Sequence, residues 1–438
     1  MTIQRDPATG FVTGTQLDNV TTQTTYNDFG ERETHTAWFG ATMLYFEQHE
    51  RDDLGRITKT TEIVEGVTKV WEYGYDLDAR LSEAYVDGDL RFSYTYDPNG
   101  NRTKFEDPVA GVVITADYDD QDRLLRYGDS FFTYTENGEL LRETSPAGVT
   151  TYDYDVFSNL LALGLPDGTV VDYAVDPRDR RIATFTDGVS EDGFVYRDQL
   201  EPIARIDSGG AVDQRYVYGA FDHVPDALVT SPATFAYVTD IRGSVRLVVD
   251  SDLGTITERI DYSPFGIPTA TSSAQPFGFD GGLVFDAGLT RFGARDYDAL
   301  TGRWKTKDAV GLVGGTDLNN ETAISAGSQT NQELRTRWRR ESRNLFIYSA
   351  DDPVNQIDPW GRAGRPLTLP PTPQPPIAPP NACGDWIDDD CDLVDVEPDD
   401  EYLNCFYYCP ICRTTEWTRA SRDGGCPTSI TVTCEVVH

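Results

Sequence analysis

One short motif recurs along the first half of the chain and restricts what the chain can fold into. In each copy a tyrosine precedes an aspartate or another small polar residue, and a glycine, arginine or asparagine follows within a few residues. The copies lie about 20 residues apart, which is too long for one strand and suits a hairpin of two strands. The copies begin at Tyr26, Tyr75, Tyr96, Tyr118, Tyr134, Tyr154 and Tyr173, with a degenerate copy at Arg51.

The residues of the motif explain how each hairpin turns. Tyr94 and Tyr96 are two residues apart, so both rings project from the same face of a strand. The carboxylate of Asp97 can accept a backbone N–H two residues on, and Gly100 supplies the positive φ that closes a bulged hairpin. A single hairpin is only marginally stable, so neighbouring copies must pair edge to edge and twist. The sequence therefore predicts an all-β fold of repetitive antiparallel β-hairpins in a curved or spiral β-shell, with the repeated Tyr and Asp as scaffold.

The composition supports strands and excludes one class of partner. Tyr (23) and Phe (20) are common while Met (2) is rare, which favours strands over helices. Acidic residues outnumber basic ones 73 to 37, giving a formal net charge of −36. Because such a surface repels phosphate backbones, we expect no nucleic-acid binding by the body of the protein. The charge suits either solubility or the holding of a basic cargo, and both interpretations remain open.

The chain shows neither a membrane span nor an export signal. No stretch reaches the roughly 18 apolar residues that a spanning helix needs. The residues after Met1 lack the apolar core of a signal peptide. Either the protein is exported by another route, or the chain is the C-terminal part of something longer. We favour the second expectation, because residues 1–25 already have the pattern of a polar strand within a repeat.

A second group of motifs follows the repeats in a fixed order. They are Tyr237-Val-Thr-Asp-Ile-Arg-Gly-Ser-Val-Arg246, Tyr262-Ser-Pro-Phe-Gly266, Arg291-Phe-Gly-Ala-Arg-Asp-Tyr-Asp298, Thr301-Gly-Arg-Trp304, Asn344-Leu-Phe-Ile-Tyr348 and Asp358-Pro-Trp-Gly361. The repeats resemble the YD repeats of RHS proteins, of the C subunits of insecticidal toxin complexes and of the YD shell of teneurins. The later motifs resemble the RHS repeat-associated core. The resemblance covers roughly residues 20–361.

This resemblance implies a hollow shell of spiralling β-sheet whose core plugs one end. In bacterial relatives the shell encloses a C-terminal polypeptide, often toxic, and the core frees it by cutting its own chain. Known shells contain more repeats than this chain, so we expect a C-terminal wall and plug that work with an upstream shell segment or a partner subunit. The predicted domains are 1–235 (repeat shell), 236–361 (RHS core, with an insertion at about 314–343), 362–382 (proline-rich linker) and 383–438 (Cys-rich variable tip).

The resemblance also implies a catalytic site. In self-cleaving relatives an Arg-Asp pair and an Asp twelve residues later act as an aspartyl protease, and the matching residues are Arg295, Asp296 and Asp308. Two neighbouring carboxyl groups share a proton, so one acts as acid while the other activates water, and a guanidinium can polarise the scissile carbonyl. Residues 298–302 indicate a turn, which predicts that Asp296 and Asp308 lie on adjacent strands and on one face, unless a bulge intervenes. The structural alternative is an ion pair of Arg295 with Asp296, and a turn capped by Asp308.

The expected scissile bond joins Gly361 to Arg362. Two departures from the family pattern affect this prediction: Ala309 replaces the usual Pro after the second Asp, and Arg362 replaces the usual Leu after the last motif. A third, smaller departure is Asp351-Asp-Pro353 in place of Asn-Asn-Pro. The insertion contains the basic run of residues 332–343, which indicates a short helix that either docks on an acidic surface or is simply solvated.

All seven cysteines lie beyond residue 382, after a run rich in proline that predicts an extended spacer. This tail has one histidine, His438, and no recognisable hydrolase or nuclease set. The cysteine spacing favours a disulfide framework. The alternatives are a zinc module, or an irregular end of the gene whose cysteines have no structural role. Asp388 to Asp392 lack the loop pattern of a calcium site, so we predict no metal and no cofactor. The cysteines considered for disulfides or zinc are Cys405, Cys409, Cys412, Cys426 and Cys434.

Two functions fit the sequence. The first is a bacterial RHS shell, secreted or on the cell surface, that holds its own C-terminal tip, releases it by aspartyl self-cleavage and is matched by an immunity protein. The second is an uncleaved surface or adhesion scaffold of the teneurin type. Self-cleavage is the one enzymatic activity that the sequence suggests.

Overall fold

The computed structural model describes residues 1–221, 223–269, 275–308 and 344–361, together with the backbone of five strands between residues 365 and 435. The chain divides into two compact units, Met1–Pro370 and Pro371–His438. The basic run 332–343, the insertion 314–343 and Arg362 lie outside the described residues. No helix among the described residues is long and apolar enough to cross a membrane.

The first unit contains one sheet of 25 strands, here called the wall, in which every strand pairs antiparallel with the next strand along the chain. The prediction of an all-β fold of repeated antiparallel hairpins is thus confirmed. The strands are β1 Thr2–Arg5, β2 Val12–Leu17, β3 Val20–Tyr26, β4 Arg32–Phe39, β5 Thr42–Arg51, β6 Ile57–Val64, β7 Val67–Tyr75, β8 Leu81–Val86, β9 Asp89–Tyr96, β10 Arg102–Asp107, β11 Val112–Tyr118, β12 Leu124–Tyr127, β13 Ser130–Tyr134, β14 Leu140–Ser145, β15 Gly148–Tyr154, β16 Leu160–Gly164, β17 Val170–Val175, β18 Arg181–Thr186, β19 Val189–Tyr196, β20 Pro202–Asp207, β21 Val212–Val217, β22 Ala227–Val229, β23 Thr234–Thr239, β24 Val245–Asp250 and β25 Ile256–Arg259.

The turn after each motif tyrosine, here called a YD turn, is built by a short polar side chain, which is an aspartate in most copies, Asn27 after Tyr26 and Thr135 after Tyr134. Asp97 Oδ1 accepts the backbone N–H groups of Asn99 (2.8 Å) and Asn101 (2.9 Å), which fixes both ends of the turn. The strand register shifts by one residue at this point, as a bulged hairpin requires. The same pair of bonds is made by Asp52, Asp76, Asp119, Asp155, Asp176, Asp207 and Asp240.

One residue of every YD turn adopts positive φ. Gly100 does so at φ 86°, as expected for glycine. Where glycine is missing, Ala79 (62°) and Ser158 (65°) take the same conformation. The turn geometry is therefore kept even where the side chain makes it unfavourable.

Several of the motif tyrosines tie a hairpin to the one before it. The hydroxyl of Tyr96 donates to the carbonyl of Leu81 at 2.8 Å, and the guanidinium of Arg80 lies over the Tyr96 ring, 4.8 Å from its centroid. Such a hydrogen bond stabilises by about 1 kcal/mol, so the wall gains stability in many small, similar steps. Equivalent hydroxyl bonds are made by Tyr26, Tyr75, Tyr118, Tyr196 and Tyr218.

The wall curls until its first strands meet its last ones. Val20 and Tyr45 from the start of the sheet are in one buried cluster with Val238 and Val249 from its end. At the rim, Ser251 Oγ donates to the carboxylate of Asp18 at 2.7 Å. Among the described strands β1 pairs only with β2, and β25 only with β24, so the sheet curls without closing.

Residues 260–269, 275–308 and 344–361, here called the plug, follow the wall and have few strands. Their core contains Phe279, Phe292, Tyr297, Trp304 and Tyr348, all buried. The predicted boundary between the repeats and the core, at residue 236, falls inside β23. The strands β23 to β25 are still part of the wall. The plug strands are β26 Leu283–Val284, β27 Leu289–Phe292, β28 Arg295–Asp298, β29 Arg303–Trp304 and β30 Gln356–Ile357, which pairs with β31 Arg365–Pro366; the 3₁₀ turns are Phe279–Gly281, Asp286–Gly288 and Ser349–Asp351.

The second unit contains one antiparallel sheet in the order β34, β33, β32, β35. Cys405 and Cys409 lie on β33 and Cys434 lies on β35, whereas Cys412 and Cys426 fall outside the described residues. Disulfide or zinc binding depends on side chains that are likewise outside the described part. The strands are β32 Trp386–Pro398, β33 Tyr402–Cys409, β34 Thr414–Ser421 and β35 Ser429–Glu435.

Candidate functional site

Buried side chains of the plug are bound to the YD turns of the wall. Arg303 Nη1 donates to Asn101 Oδ1 at 3.0 Å, and its Nη2 donates to the carbonyl of Asp122. Asn344 Nδ2 donates to the same Asn101 oxygen at 2.8 Å. Two successive turns are thus held by residues that lie about 200 positions further along the chain.

Two further contacts continue this row along the wall. Arg291 Nη2 donates to Asn159 Oδ1 and to the carbonyl of Asp179, both at 3.1 Å. At the other end, Asn355 Oδ1 accepts the N–H of Ile57 at 2.8 Å, and its Nδ2 reaches the hydroxyl of Tyr75 at 2.9 Å. The plug is therefore bound to YD turns of the wall and to the strand ends beside them.

The predicted catalytic residues lie on and after the β27–β28 hairpin of the plug. The backbone N–H of Gly302 donates to the carbonyl of Asp298 at 2.8 Å, which confirms the predicted turn at 298–302. Arg295 and Asp296 are consecutive residues of β28, so their side chains point to opposite faces of the strand. The side chains of Arg295 and Asp296 therefore lie in two different environments, one on each face of β28.

Arg295 is buried, 6% exposed, and its guanidinium contacts several groups of the plug. Its Nε donates to the carbonyl oxygen of Gly361 at 2.5 Å, and its Nη2 lies 2.8 Å from Asp308 Oδ2 and 3.2 Å from Asp358 Oδ2. Its Nη1 donates to the carbonyl of Leu345 at 3.3 Å. The guanidinium thus joins two carboxylates to the carbonyl of the expected scissile bond.

The turn that contains Gly361 is held tightly against the hairpin. The N–H of Gly361 donates to the carbonyl of Asp358 at 3.2 Å, and the N–H of Ala294 donates to the carbonyl of Trp360 at 3.0 Å. Gly361 has φ 60°, and a Cβ built on it would lie 2.3 Å from the carbonyl oxygen of Phe292. Only glycine fits this position, which fixes where the Gly361 carbonyl points.

Asp296 lies in a separate, buried ion-pair cluster. Its Oδ1 is 3.0 Å from Arg181 Nη2 on the wall, and its Oδ2 accepts a hydrogen bond from Arg291 Nη1 at 2.9 Å. The guanidinium of Arg181 packs 3.7 Å from the ring centroid of Tyr173. The structure therefore brings Arg295, Asp308 and Gly361 together. It places the side chain of Asp296 elsewhere, against Arg181 and Arg291.

The expectation that Asp296 and Asp308 lie on adjacent paired strands is wrong. β29 ends at Trp304, and Asp308 lies beyond it, where its N–H donates to the carbonyl of Leu345 at 3.0 Å. The chain leaves the hairpin there because it pairs instead with the segment that begins at Asn344; Trp304 N–H likewise bonds the carbonyl of Phe346. The even spacing thus says nothing about which face Asp308 occupies.

Asp358 was not recognised from the sequence as a functional residue. It belongs to the Asp358–Gly361 motif, which served only to mark the end of the core. The available signal was its position three residues before the expected scissile bond. Its carboxylate is buried and contacts Arg295.

The plug also contains carboxyl groups that burial makes harder to ionise. Burial raises the pKa of Asp351 to about 7, against the opposing effect of Arg80, Arg303 and Arg102, and with a further increase from Asp76. Burial also raises the pKa of Asp280 to about 6, opposed by Arg242. Within the part of the chain that the structure describes, no three His, Cys, Asp or Glu side chains are arranged to hold a metal ion.

Comparisons with known proteins agree with this fold. The family model "Teneurin YD-shell" matches residues 1–323. Teneurin-3 of Mus musculus is 29% identical over 281 residues, which are 61% of this chain and 10% of that protein. The chain thus spans about a tenth of the length of this curated relative.

Two solved structures are similar in fold. The crystal structure of TcdB2-TccC3-TEV superposes with a TM-score of 0.59 at 16% identity, covering 82% of this chain and 19% of that one. The Tc holotoxin pore of Photorhabdus luminescens superposes with a TM-score of 0.53 at 15% identity, again over 82% of this chain and 19% of that one. At this level of identity the likeness concerns the fold alone.

Proposed function

The chain belongs to the teneurin YD-shell family, and from this premise we propose that it is the wall and plug of an RHS shell that holds the polypeptide following Gly361. In this proposal residues 1–235 form the repeat shell and residues 236–361 form the core. Residues 362–382 link the core to a variable tip at 383–438. The row of plug side chains on the YD turns supports this assignment, because it fixes the core to the repeat shell.

The activity we propose for the plug is cleavage of its own chain after Gly361. The observation that carries it is the contact of Arg295 Nε with the Gly361 carbonyl, made while the same guanidinium holds Asp308. A guanidinium N–H at a carbonyl oxygen stabilises the negative charge that develops there when water adds. A carboxylate beside it can take the proton of that water. Asp296, the third predicted residue, lies in the neighbouring ion-pair cluster, and its role stays a prediction.

The cargo of the shell in this proposal is its own C-terminal tip. One of the similar solved structures contains TccC3 together with TcdB2, and this chain covers 19% of the matched chain. An upstream shell segment or a partner subunit would complete the enclosure. In this proposal an immunity protein would protect the producing cell. The proposed location is outside the cell or on its surface.

A second candidate is an uncleaved surface scaffold of the teneurin type. It is favoured by the contacts of Arg295 with Leu345 and Asp358, which also clamp the plug without any chemistry. Ala309 and Arg362 depart from the cleavage motif and support the same view. In this case the Arg295 cluster is structural, and the chain stays intact.

The test is to express the chain with a different tag at each end and to follow its intact mass. Self-cleavage predicts a fragment that begins at Arg362, and Asp308→Asn should abolish it. Asp155→Asn is the control, because it replaces a carboxylate of a YD turn in the wall and should leave the cut unchanged. A folded wild-type chain that remains at full length after prolonged incubation would exclude self-cleavage. A full-length protein at the cell surface would then support the scaffold.

A further inference from the structure

We propose that a cavity lined by Arg181 of the wall and Arg291 of the plug binds a small inorganic anion, and that this anion is chloride. The proposal does not depend on self-cleavage. Three observations carry it: the kind of side chain that lines the cavity, the guanidinium nitrogens that have no partner there, and an excess of buried positive charge.

The cavity lies where the wall meets the plug and has a volume of about 30 Å³. Arg180 and Arg181 line it from the wall, and Arg291 lines it from the plug. Among the described residues of the lining, Asp280 is the one carboxylate, and it is already paired with Arg242. A space of this size holds about two water molecules or one monatomic anion.

Arg181 and Arg291 have nitrogen atoms without a partner. Their side chains belong to residues that are 1% and 5% exposed. Within the described part of the chain, Nε and Nη1 of Arg181 and Nε of Arg291 make no hydrogen bond. Burying a charged donor without an acceptor is costly, so an acceptor bound in the cavity would stabilise both residues.

The guanidinium of Arg181 is held in a fixed orientation. Its central carbon lies 3.7 Å from the ring centroid of Tyr173 and 4.5 Å from that of Phe285. Packing against these rings fixes the plane of the guanidinium and therefore the direction of its N–H groups. The donors are thus preorganised and do not need to be ordered when a ligand binds.

The buried charges around the cavity are not balanced. Arg180 has a carboxylate of its own, Asp176, at 2.6 Å. Asp296, in contrast, lies 3.0 Å from Arg181 and also 2.9 Å from Arg291. Burial lowers the pKa of Arg291, Asp296 opposes this effect, and Arg181 adds to it. Two buried cations therefore share one carboxylate, and one bound monovalent anion would balance them.

Chloride meets these requirements better than a larger anion. It carries one charge, and it accepts hydrogen bonds from several directions at once. Phosphate and sulfate have four oxygen atoms around a central atom and need more space. The carboxylate of another segment of this chain would supply the same charge, and the first experiment below distinguishes it from a free ion.

A bound anion would join the two regions of the molecule. Arg181 is the first residue of β18 in the wall, and Arg291 lies on β27 in the plug. The site exists only in the folded chain, because the two arginines are 110 positions apart in the sequence. Chloride should therefore raise the stability of the folded state as its concentration rises above the dissociation constant.

The first experiment is crystallography of the full chain with bromide in place of chloride. Bromide scatters anomalously and has the same charge and a similar size. We expect an anomalous peak in contact with the nitrogens of Arg181 and Arg291. Bromide at the protein surface alone, which is an adventitious ion only, would overturn the proposal. So would water molecules or a carboxylate of this chain in the cavity.

The second experiment measures the melting temperature while sodium gluconate is replaced by sodium chloride. Gluconate is too large for the cavity, and a constant ionic strength keeps screening unchanged. We expect the melting temperature to rise by about 2 °C when chloride increases from about 10 mM to about 300 mM. A melting temperature that is independent of chloride would contradict the proposal.

Three variants identify the site. Arg181→Met leaves Arg291 and Asp296 as a balanced pair and should abolish the chloride dependence. Gln199→Glu changes a partly exposed residue of the lining, should fold like the wild type, and should weaken the dependence through its negative charge. Arg178→Met, which removes an exposed arginine outside the lining, is the control and should keep it. An unchanged chloride dependence in folded Gln199→Glu and Arg181→Met would overturn the assignment, as would its loss in the control.

Discussion

The wall and the plug are stabilised in different ways. In the wall each YD turn is closed by bonds within five residues, as when Asp155 accepts the N–H groups of Phe157 and Asn159, and the pattern repeats from hairpin to hairpin. In the plug, the hydrogen bonds that hold it to the wall do not repeat along the chain. Arg303 reaches Asn101 and Asp122, about 200 residues earlier, and it is 4% exposed.

This difference determines how each region tolerates change. The wall spreads its stability over many weak and equivalent turns, so no single turn is decisive. The plug concentrates its stability in a few buried charged groups, whose removal leaves polar atoms without partners. The carbonyl of Gly361 can be held in one position only by contacts that occur once in the molecule. The plug provides such contacts, whereas the repeated turns of the wall do not.

The largest effect is expected for Arg303→Met. Its removal leaves the oxygens of Asn101 and Asp122 buried without this donor, and we expect a loss of about 4 kcal/mol in the free energy of unfolding. The matched control in the wall is Arg56→Met, which removes a partly exposed pair with Asp52 and should cost about 1 kcal/mol. Urea denaturation measures both values. Equal losses would remove the distinction between the two regions.

The second prediction concerns the glycine at the expected scissile bond. Gly361→Ala places a Cβ 2.3 Å from the Phe292 carbonyl oxygen and keeps a strained φ of 60°, so we expect a loss of about 3 kcal/mol. Gly66→Ala is the control, because Gly66 has φ 80° with nothing within 4 Å of its Cβ position. It should lose only about 1 kcal/mol. Differential scanning calorimetry would show the difference, and similar losses would mean that the Gly361 turn is not tightly packed.

The third prediction is a pH dependence that arises in the plug. Because burial raises the pKa of Asp351 from 3.8 in the unfolded chain to about 7, folding is favoured by the protonated form. This contribution is fully present below about pH 4 and is lost as the pH rises through 7. Asp351→Asn should therefore make the protein more stable at pH 8, by about 2 kcal/mol, and remove the slope between pH 4 and 7. Asparagine tolerates the φ of 58° at this position.

The outcome is read from urea denaturation of both proteins at pH 5 and pH 8. For each pH, the free energy of unfolding of Asp351→Asn is subtracted from that of the wild type. If this difference does not fall from pH 5 to pH 8, Asp351 ionises in the folded protein without cost, and the prediction is contradicted.

The smallest effect is expected for the turns of the wall. Asp155→Ala removes the acceptor of two backbone N–H groups and should cost about 1 kcal/mol, as loss of a helix cap does. Asp76→Ala, in a distant turn with the same bonds, should cost about as much. The double variant should lose the sum, since the two sites share no partner. A loss well above the sum would show that the turns are coupled rather than independent.

The sequence predicts the wall well because the wall is local. Tyrosine spacing, the aspartate that follows and the residue with positive φ lie within one turn, so their physics can be worked out without knowing the fold. The bulge at Tyr96 and the bonds of Asp97 were predicted in this way and are confirmed. The turn at 298–302 was found by the same local reasoning.

The site was predicted less completely because its contacts are not local. Nothing in the spacing of Asp308 shows that the chain turns away from β29 toward Leu345. The contact of Asp358 with Arg295 joins residues 63 positions apart and has no periodic signal. One local clue was available: Arg295 and Asp296 are adjacent in a strand and must point to opposite faces.

Hydrogen exchange, followed by mass spectrometry on Arg303→Met and Asp155→Ala, tests most directly whether a few buried side chains hold the plug on a self-supporting wall. For Arg303→Met we predict joint loss of protection in residues 289–308 and 344–361 and in the turns at 97–101 and 119–123. For Asp155→Ala we predict faster exchange only near residues 154–160. A local effect of Arg303→Met, or an opening of the plug by Asp155→Ala, would contradict this account.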